Sequence, residues 1–246
     1  MRDRSGTLLK DDLVRALKRL AIAHAILSHC GHDDLTLGHM ALRDPLGRGF
    51  WIKRAEAGMR ELSSGCFQLL SYEGKLLEGN GRTHSEWHLH SALLLARADA
   101  IVSVHTHAEW PTLLSCFGEP MHLLTTDAGY LGLVRIFDSG TSQIDTKALG
   151  ERAAEALGSE RALLLQNHGT VFVGSSIEQA TLIGYYLVRA ACAELRARAA
   201  GSNFRQAPAS SAMARSTMLN NPGWLKDSFD CLQARLQSQP ACEGAL

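Results

Sequence analysis

The segment LLLQNHGTVFVG constrains the fold more than any other part of the chain. Two apolar strands, Ala162 to Gln166 and Thr170 to Val173, flank an Asn-His-Gly turn. A third run, Ala100 to His105, is rich in β-branched residues and reads as a buried strand. Runs this short and this apolar are strands that need cover. Helical patterns supply it. Leu8 to Cys30 places Leu13, Leu17, Leu20, Ala21 and Ala25 near one face, and Gly31 suits its end. Further helices are expected over His84 to Arg97, Glu109 to Cys116, Asp145 to Leu157 (stopped by Gly158) and Ile177 to Ala200, with a last one from about 223 to 236. Strand pairs are expected at 35–43 with 49–53, around DPLGRG, and at 66–72 with 75–78, around Glu73-Gly74; a further short strand spans 133–137. Residues 202–222 are polar and rich in Pro, Ser and Asn, and the terminus reads as frayed. Strands and helices alternate, and many strands are joined by short turns. That pattern predicts one mixed-sheet α/β domain with helices on its faces.

At 246 residues the chain has room for one sizeable α/β core. Lys plus Arg equals Asp plus Glu, so no global basic field exists to gather nucleic acid or an anionic membrane. The first residues lack the apolar stretch of a secretory signal, and no run approaches the roughly 20 apolar residues of a membrane span. The six cysteines are scattered without a C-x-x-C pair, as expected of reduced thiols in a cytoplasmic protein.

The eleven histidines are the unusual item. His105-Thr106-His107 ends the strand VSVHTH, and strand residues two apart point the same way. Two imidazoles so placed can bind one metal, or can be two partly exposed histidines at a strand end. His168 sits at the turn between two strands, where its ordinary role would be that of a surface turn residue. Three imidazoles with an open fourth position make a catalytic metal site. Glu86 is the natural fourth group, although Thr83-x-x-Glu86 also fits a capping box. His90 lies one turn further on the same face and is a rival ligand. His24, His29 and His32, at the end of the first helix, read as solvated or paired with its dipole. Trp51, Trp110, Trp224, Tyr185 and Tyr186 read as packing residues, and Arg43 with Asp44 as the ordering pair of the DPLGRG turn.

In chain order these motifs are G-x-x-x-x-R-D-P from Gly38, S-E-W-x-x-H from Ser85, H-T-H from His105, and His168-Gly169 followed by a helix bearing Glu178 and Ala180. From about Leu13 to Ala200 the chain resembles the class II aldolase/adducin family, which includes fuculose-phosphate aldolases and ribulose-phosphate epimerases. The resemblance implies a three-layer α/β/α sandwich with a central mixed, mainly antiparallel sheet. It implies a single domain over 1–246, with its core at about 8–200 and a helical extension beyond. It also implies a divalent metal (zinc, manganese or cobalt), one per subunit, on His105, His107 and His168, with Glu86 as ligand or acid/base. Family aldolases are commonly tetramers with active sites at subunit interfaces, so a homotetramer is expected.

Departures from the family pattern point to the substrate. Where phosphate-handling members have Gly-Asn, this chain has Gly38-His39. Where they have Thr-Gly, it has Lys53 and Arg54, and where they have Ser-Ser, it has His84-Ser85. His39, Lys53, Arg54, His84 and Ser85 are therefore the expected substrate-binding residues, suited to a planar carboxylate. The stretch MHLLTTDAGY carries no tyrosine where the family's aldolases place their proton donor; Tyr130 is displaced. The chain thus looks closer to the family's decarboxylases of hydroxylated aromatic or pyridine carboxylates. The implied chemistry is enolate stabilisation, with Glu86 or a water it orients supplying a proton. An aldolase or epimerase acting on a sugar phosphate or hydroxy-keto acid is the alternative. A non-catalytic adducin-like module is a third reading, and it has no need of an open metal site.

Overall fold

The computed structural model describes residues 4–138, 140, 143–201 and 203–238. The expected frayed terminus from 239 onwards, with Cys242, lies outside the described residues. The chain forms one sheet of eight strands flanked by helices. The strands are β1 (His39–Arg43), β2 (Phe50–Lys53), β3 (Phe67–Leu70), β4 (Leu76–Glu78), β5 (Val102–Thr106), β6 (Val134–Phe137), β7 (Ala162–Leu165) and β8 (Gly169–Gly174). Their order across the sheet is β4-β3-β2-β1-β5-β8-β7-β6. Every pair is antiparallel except β6–β7, so the sheet is mixed and mainly antiparallel as expected.

Alternation along the strands sends side chains into two separate cores. Met40 and Leu42 of β1, Val102 and Val104 of β5 and Phe172 of β8 enter one core. That core is covered by α1 (Arg4–Leu27), α3 (Glu109–Ser115), α4 (Thr126–Leu131), α6 (Ile177–Ala200) and α8 (Pro222–Ser238). Ala41, Phe50, Ile52, Val171 and Val173 enter the other, under α2 (Trp87–Ala96) and α5 (Lys147–Leu157). The layers are therefore helix, sheet, helix. Each fully buried leucine or valine in them contributes roughly 1.5–3 kcal/mol.

Helix ends follow local chemistry. The Thr146 hydroxyl accepts from the Leu149 amide at the start of α5, and Ser176 does the same for Gln179 at the start of α6. After α1 the chain makes a π turn, Ser28–His32, in which Gly31 takes φ 95°. Two helices escape the periodicity argument. α4 is a single capped segment, TDAGYL, too short to show a stripe, and α7 (Ala209–Ser216) lies in the stretch that reads as polar linker. Among the described residues no helix is long and apolar enough to cross a membrane.

Candidate metal centre

β1 and β5 are paired so that His39 lies opposite His105. Both point to the α2 side of the sheet, as do Ala41 and Ser103, the next residues of that alternation. β5 then runs out through His107, and the β8 hairpin brings His168 beside it. The turn fits tightly. Asn167 takes φ 56°, and a Cβ on Gly169 would lie 2.6 Å from the Thr106 carbonyl oxygen and 2.8 Å from Cδ2 of His107. Only glycine lets these backbones approach so closely.

The three imidazoles form a near-regular triangle. Ring centroids are 4.7 Å apart for His105–His107, 5.0 Å for His105–His168 and 5.1 Å for His107–His168. Glu86 closes the group, and one ligating atom from each of the four residues lies within 4.8 Å of all the others. α2 starts at Trp87, later than the sequence pattern suggests, and Glu86 is its N-cap residue without any capping hydrogen bond from the side chain. The carboxylate is thus free of the capping box. Its Oε1 accepts from the Ile144 amide at 2.8 Å, and Oε2 lies 3.1 Å from His105 Nε2.

That last contact decides what the cluster can do. His105 Nδ1 donates to the Thr170 carbonyl at 2.9 Å, so Nε2 carries a lone pair. A lone pair and a carboxylate oxygen then face each other in a buried space. His105 Nε2 and His107 Nε2 are buried with no hydrogen-bond partner, and His168 turns its Nε2 to Glu86 Oε1 at 3.5 Å. Buried polar atoms are rarely left unpaired without a reason. Three imidazoles and a carboxylate around one point fit a divalent cation. Burial pushes the His168 imidazole down to about 4, with the neighbouring His105 adding to it, so the ring is neutral near pH 7, as metal binding requires. Burial would raise the Glu86 carboxyl, but positive charge at His105 and His168, a role a cation would take beside the neutral rings, and the Ile144 amide outweigh it and hold it well below the usual carboxylate range.

A row of further histidines leads away from this point. His39 lies 5.3 Å from His105 by ring centroid and 4.2 Å from His84. Its Nδ1 shares a proton with His90 Nε2 at 2.6 Å, and His90 Nδ1 meets Ser103 Oγ. His90 is therefore committed to His39 and Ser103 and is not part of the four-residue group. Lys53 is fully buried, and its Nζ donates to the Thr36 and Ala57 carbonyls at 2.6 and 2.7 Å and touches His84 Nε2 at 3.3 Å. Arg54 packs against Gly81, and its buried Nε lies 3.9 Å from Glu56 Oε1 without a hydrogen bond. Ser85 is exposed, beside Gln143. Of the five expected substrate-binding residues, His39 and His84 line up with the metal cluster, and Lys53 reaches it only through His84.

His24 and His32 overturn the expectation of solvated helix-end histidines: both are fully buried. His24 Nδ1 donates to the Leu20 carbonyl at 2.8 Å, and its Nε2 accepts from the Met40 amide at 3.1 Å. His32 Nε2 donates to the Gly184 carbonyl at 3.0 Å, and its Nδ1 accepts from Thr106 Oγ1 at 2.8 Å. Asp34, whose Oδ2 accepts from His107 Nδ1 at 2.6 Å, carries no signal in the sequence, being one acid of a Asp33-Asp34 pair in a loop.

The family model for the Class II Aldolase and Adducin N-terminal domain matches residues 18–195. The chain belongs to this family. Among curated relatives, it is 30% identical over 175 residues to an L-fuculose phosphate aldolase of Escherichia coli O6:H1, covering 69% of this chain and 80% of that one. It is 26% identical over 219 residues to a 3,4-dihydroxyphthalate decarboxylase of Arthrobacter keyseri, covering 78% and 83%. Among solved structures, the L-fuculose 1-phosphate aldolase from Glaciozyma antarctica PI12 shares the fold with a TM-score of 0.80 at 23% identity, over 93% of this chain and 91% of that one. Aldolases and decarboxylases thus both stand among the relatives of this family member.

Proposed function

We propose that this chain is a divalent-metal-dependent carbon–carbon lyase, and specifically a decarboxylase of a small hydroxylated aromatic or heteroaromatic carboxylate. The observation that carries it is the confrontation of Glu86 with the unpartnered Nε2 atoms of His105 and His107 and with His168. That arrangement is satisfied by a cation, here zinc or manganese. When bound, the cation would supply Lewis-acid polarisation of a substrate oxygen. Glu86, held by the Ile144 amide, is placed to carry a proton to or from the reacting carbon. His39 and His84 offer imidazole N–H groups to a second acidic group of the substrate, which sets which bond lies over the centre. Decarboxylation is favoured over aldol cleavage by this imidazole row, by the lack of a tyrosine in the stretch 121–129, and by the long match to the dihydroxyphthalate decarboxylase. The 30% identity to a fuculose phosphate aldolase supports the second reading, aldehyde release from a sugar phosphate. We further assign the working state as a homotetramer in the cytoplasm with sites at subunit interfaces.

The test is direct. Metal-loaded protein is offered 3,4-dihydroxyphthalate and other hydroxy-dicarboxylates on one side and fuculose phosphate on the other. Release of CO₂ from the carboxylates, abolished by a chelator and restored by zinc or manganese, is the expected result. Aldehyde release from the sugar phosphate alone would overturn it in favour of the aldolase. Protein that neither binds metal nor turns over either class would revive the adducin-like module.

A further inference from the structure

Residues 33–38, between the π turn and β1, hold a conformation that their own sequence does not favour. Leu35 sits at φ 51°, in the left-handed region, and is 81% exposed. A leucine there gains nothing from burial and pays in backbone strain. The turn is closed by the Leu37 amide, which donates to the Asp34 carbonyl at 2.8 Å. It is fastened from beneath by Lys53 through the Thr36 carbonyl. Burying an ammonium is costly unless its protons are met. Here all three contacts of Nζ go to the turn, to Ala57 and to His84. What the turn presents is Asp34. Its neighbour Asp33 pairs outward with Arg60 at 2.8 Å, whereas Asp34 turns inward to His107.

We propose that Asp34 is a positioning residue for the metal centre, and that Lys53 serves the same end by pinning the turn that carries it. With Nδ1–H given to the Asp34 carboxylate, His107 is fixed in the tautomer whose Nε2 holds the lone pair, and that Nε2 is the buried, unpartnered atom beside His105 and His168. A carboxylate behind a ligating imidazole fixes the ring and raises its basicity. His105 has only a carbonyl behind it, and His168 Nδ1 has no partner among the described residues. His107 is therefore the strongest donor of the three. This rests on the metal-centre reading above.

The experiment measures zinc and manganese affinity of the full-length apoprotein by competition with a chromophoric chelator, beside the melting temperature of each metal-free variant. Asp34→Asn keeps a hydrogen-bond acceptor of the same size and loses the charge, so a purely structural role in the turn would leave affinity unchanged. The expected result is a loss of about 10–100-fold, with little change in metal-free melting. In a His107→Gln background the same change should have no further effect. Lys53→Met should lower affinity in the wild-type chain and not in Asp34→Asn. Asp34→Ser replaces Asp34→Asn if the latter fails to fold. Affinity within twofold of wild type, or an equal loss in the His107→Gln background, overturns the role of Asp34 while leaving the metal centre standing. A wild-type protein that binds neither metal overturns both.

Discussion

Two groups of histidines sit within one fold, one fully buried and one buried only at His105, and they differ in how their ring nitrogens are matched. His24, in the last turn of α1, and His32, at the end of the π turn, have both ring nitrogens matched, one as donor and one as acceptor. His105 and His107, at the end of β5, each keep a buried Nε2 without a partner, and His168, in the turn before β8, turns its Nε2 toward Glu86. The first group is finished structure: each imidazole ties a helix end to a strand or to another helix. The second is incomplete by itself, and a carboxylate is aimed into the gap. Burial alone therefore does not separate a scaffold histidine from a ligand; the unmatched lone pair does.

The largest effect that would break this comparison is at Glu86. Glu86→Gln should lower turnover on the order of 10²–10⁴-fold, the usual worth of a positioned acid/base. His105→Ala should remove bound metal outright, read by elemental analysis. Glu86→Gln should not weaken the metal-free fold much, because it relieves an unfavourable meeting of two acceptors, whereas His105→Ala also leaves a cavity and an unmatched Thr170 carbonyl. A loss of several kcal/mol in urea denaturation of metal-free Glu86→Gln would show that the cluster is scaffold after all.

His24→Ala should behave in the opposite way. It removes a ring from a sealed position and leaves the Leu20 carbonyl and Met40 amide unmatched. The combined cost of two unpaired polar groups and a cavity is about 3 kcal/mol, measured by the shift in denaturation free energy. Metal content of the folded fraction should stay at the wild-type level. Loss of metal with unchanged stability would erase the distinction between the two groups.

The same contrast explains what could be read from the sequence. Strand alternation makes His105 and His107 a pair, and the apolar runs around Asn167-His168-Gly169 fix a hairpin, so the sheet interior and three candidate ligands are legible as pattern. Glu86 was ambiguous because S-E-W-x-x-H serves equally as a helix start; only the observed start of α2 at Trp87 frees its carboxylate. His24 and His32 were misread because their partners, Met40, Thr106 and Gly184, are distant in the chain, and no local period announces a hydrogen bond of that kind. For Lys53, read as a cation for the substrate, no local pattern tells that the Thr36 and Ala57 carbonyls will take its protons. Local patterns reveal faces and spacing, whereas long-range satisfaction of polar atoms appears only once the chain is folded.

The smallest effect per residue is in the pH dependence of stability, which the scaffold pair shares with the other desolvated histidines, His39, His84, His90 and His168. Burial pushes His24 down to about 3 and His32 down to about 4, against 6.5 for each in an exposed chain. Below pH 6.5 the unfolded chain takes up protons at these two rings and the native protein does not. The unfolded state then binds more protons, so stability falls as pH falls. Between pH 6.5 and 5.5 the loss is about 1 kcal/mol per histidine, and the two rings together give about 2. Urea denaturation at pH 7.5, 6.5 and 5.5, with chelator present to keep metal out, should show a flat upper limb and a fall at the lower end. A profile equally stable at pH 5.5 and 7.5 would mean that His24 and His32 accept protons in place, and that their matched hydrogen bonds do not hold them neutral. Without chelator the fall should be steeper, because protons then also compete with the metal for the ligand histidines.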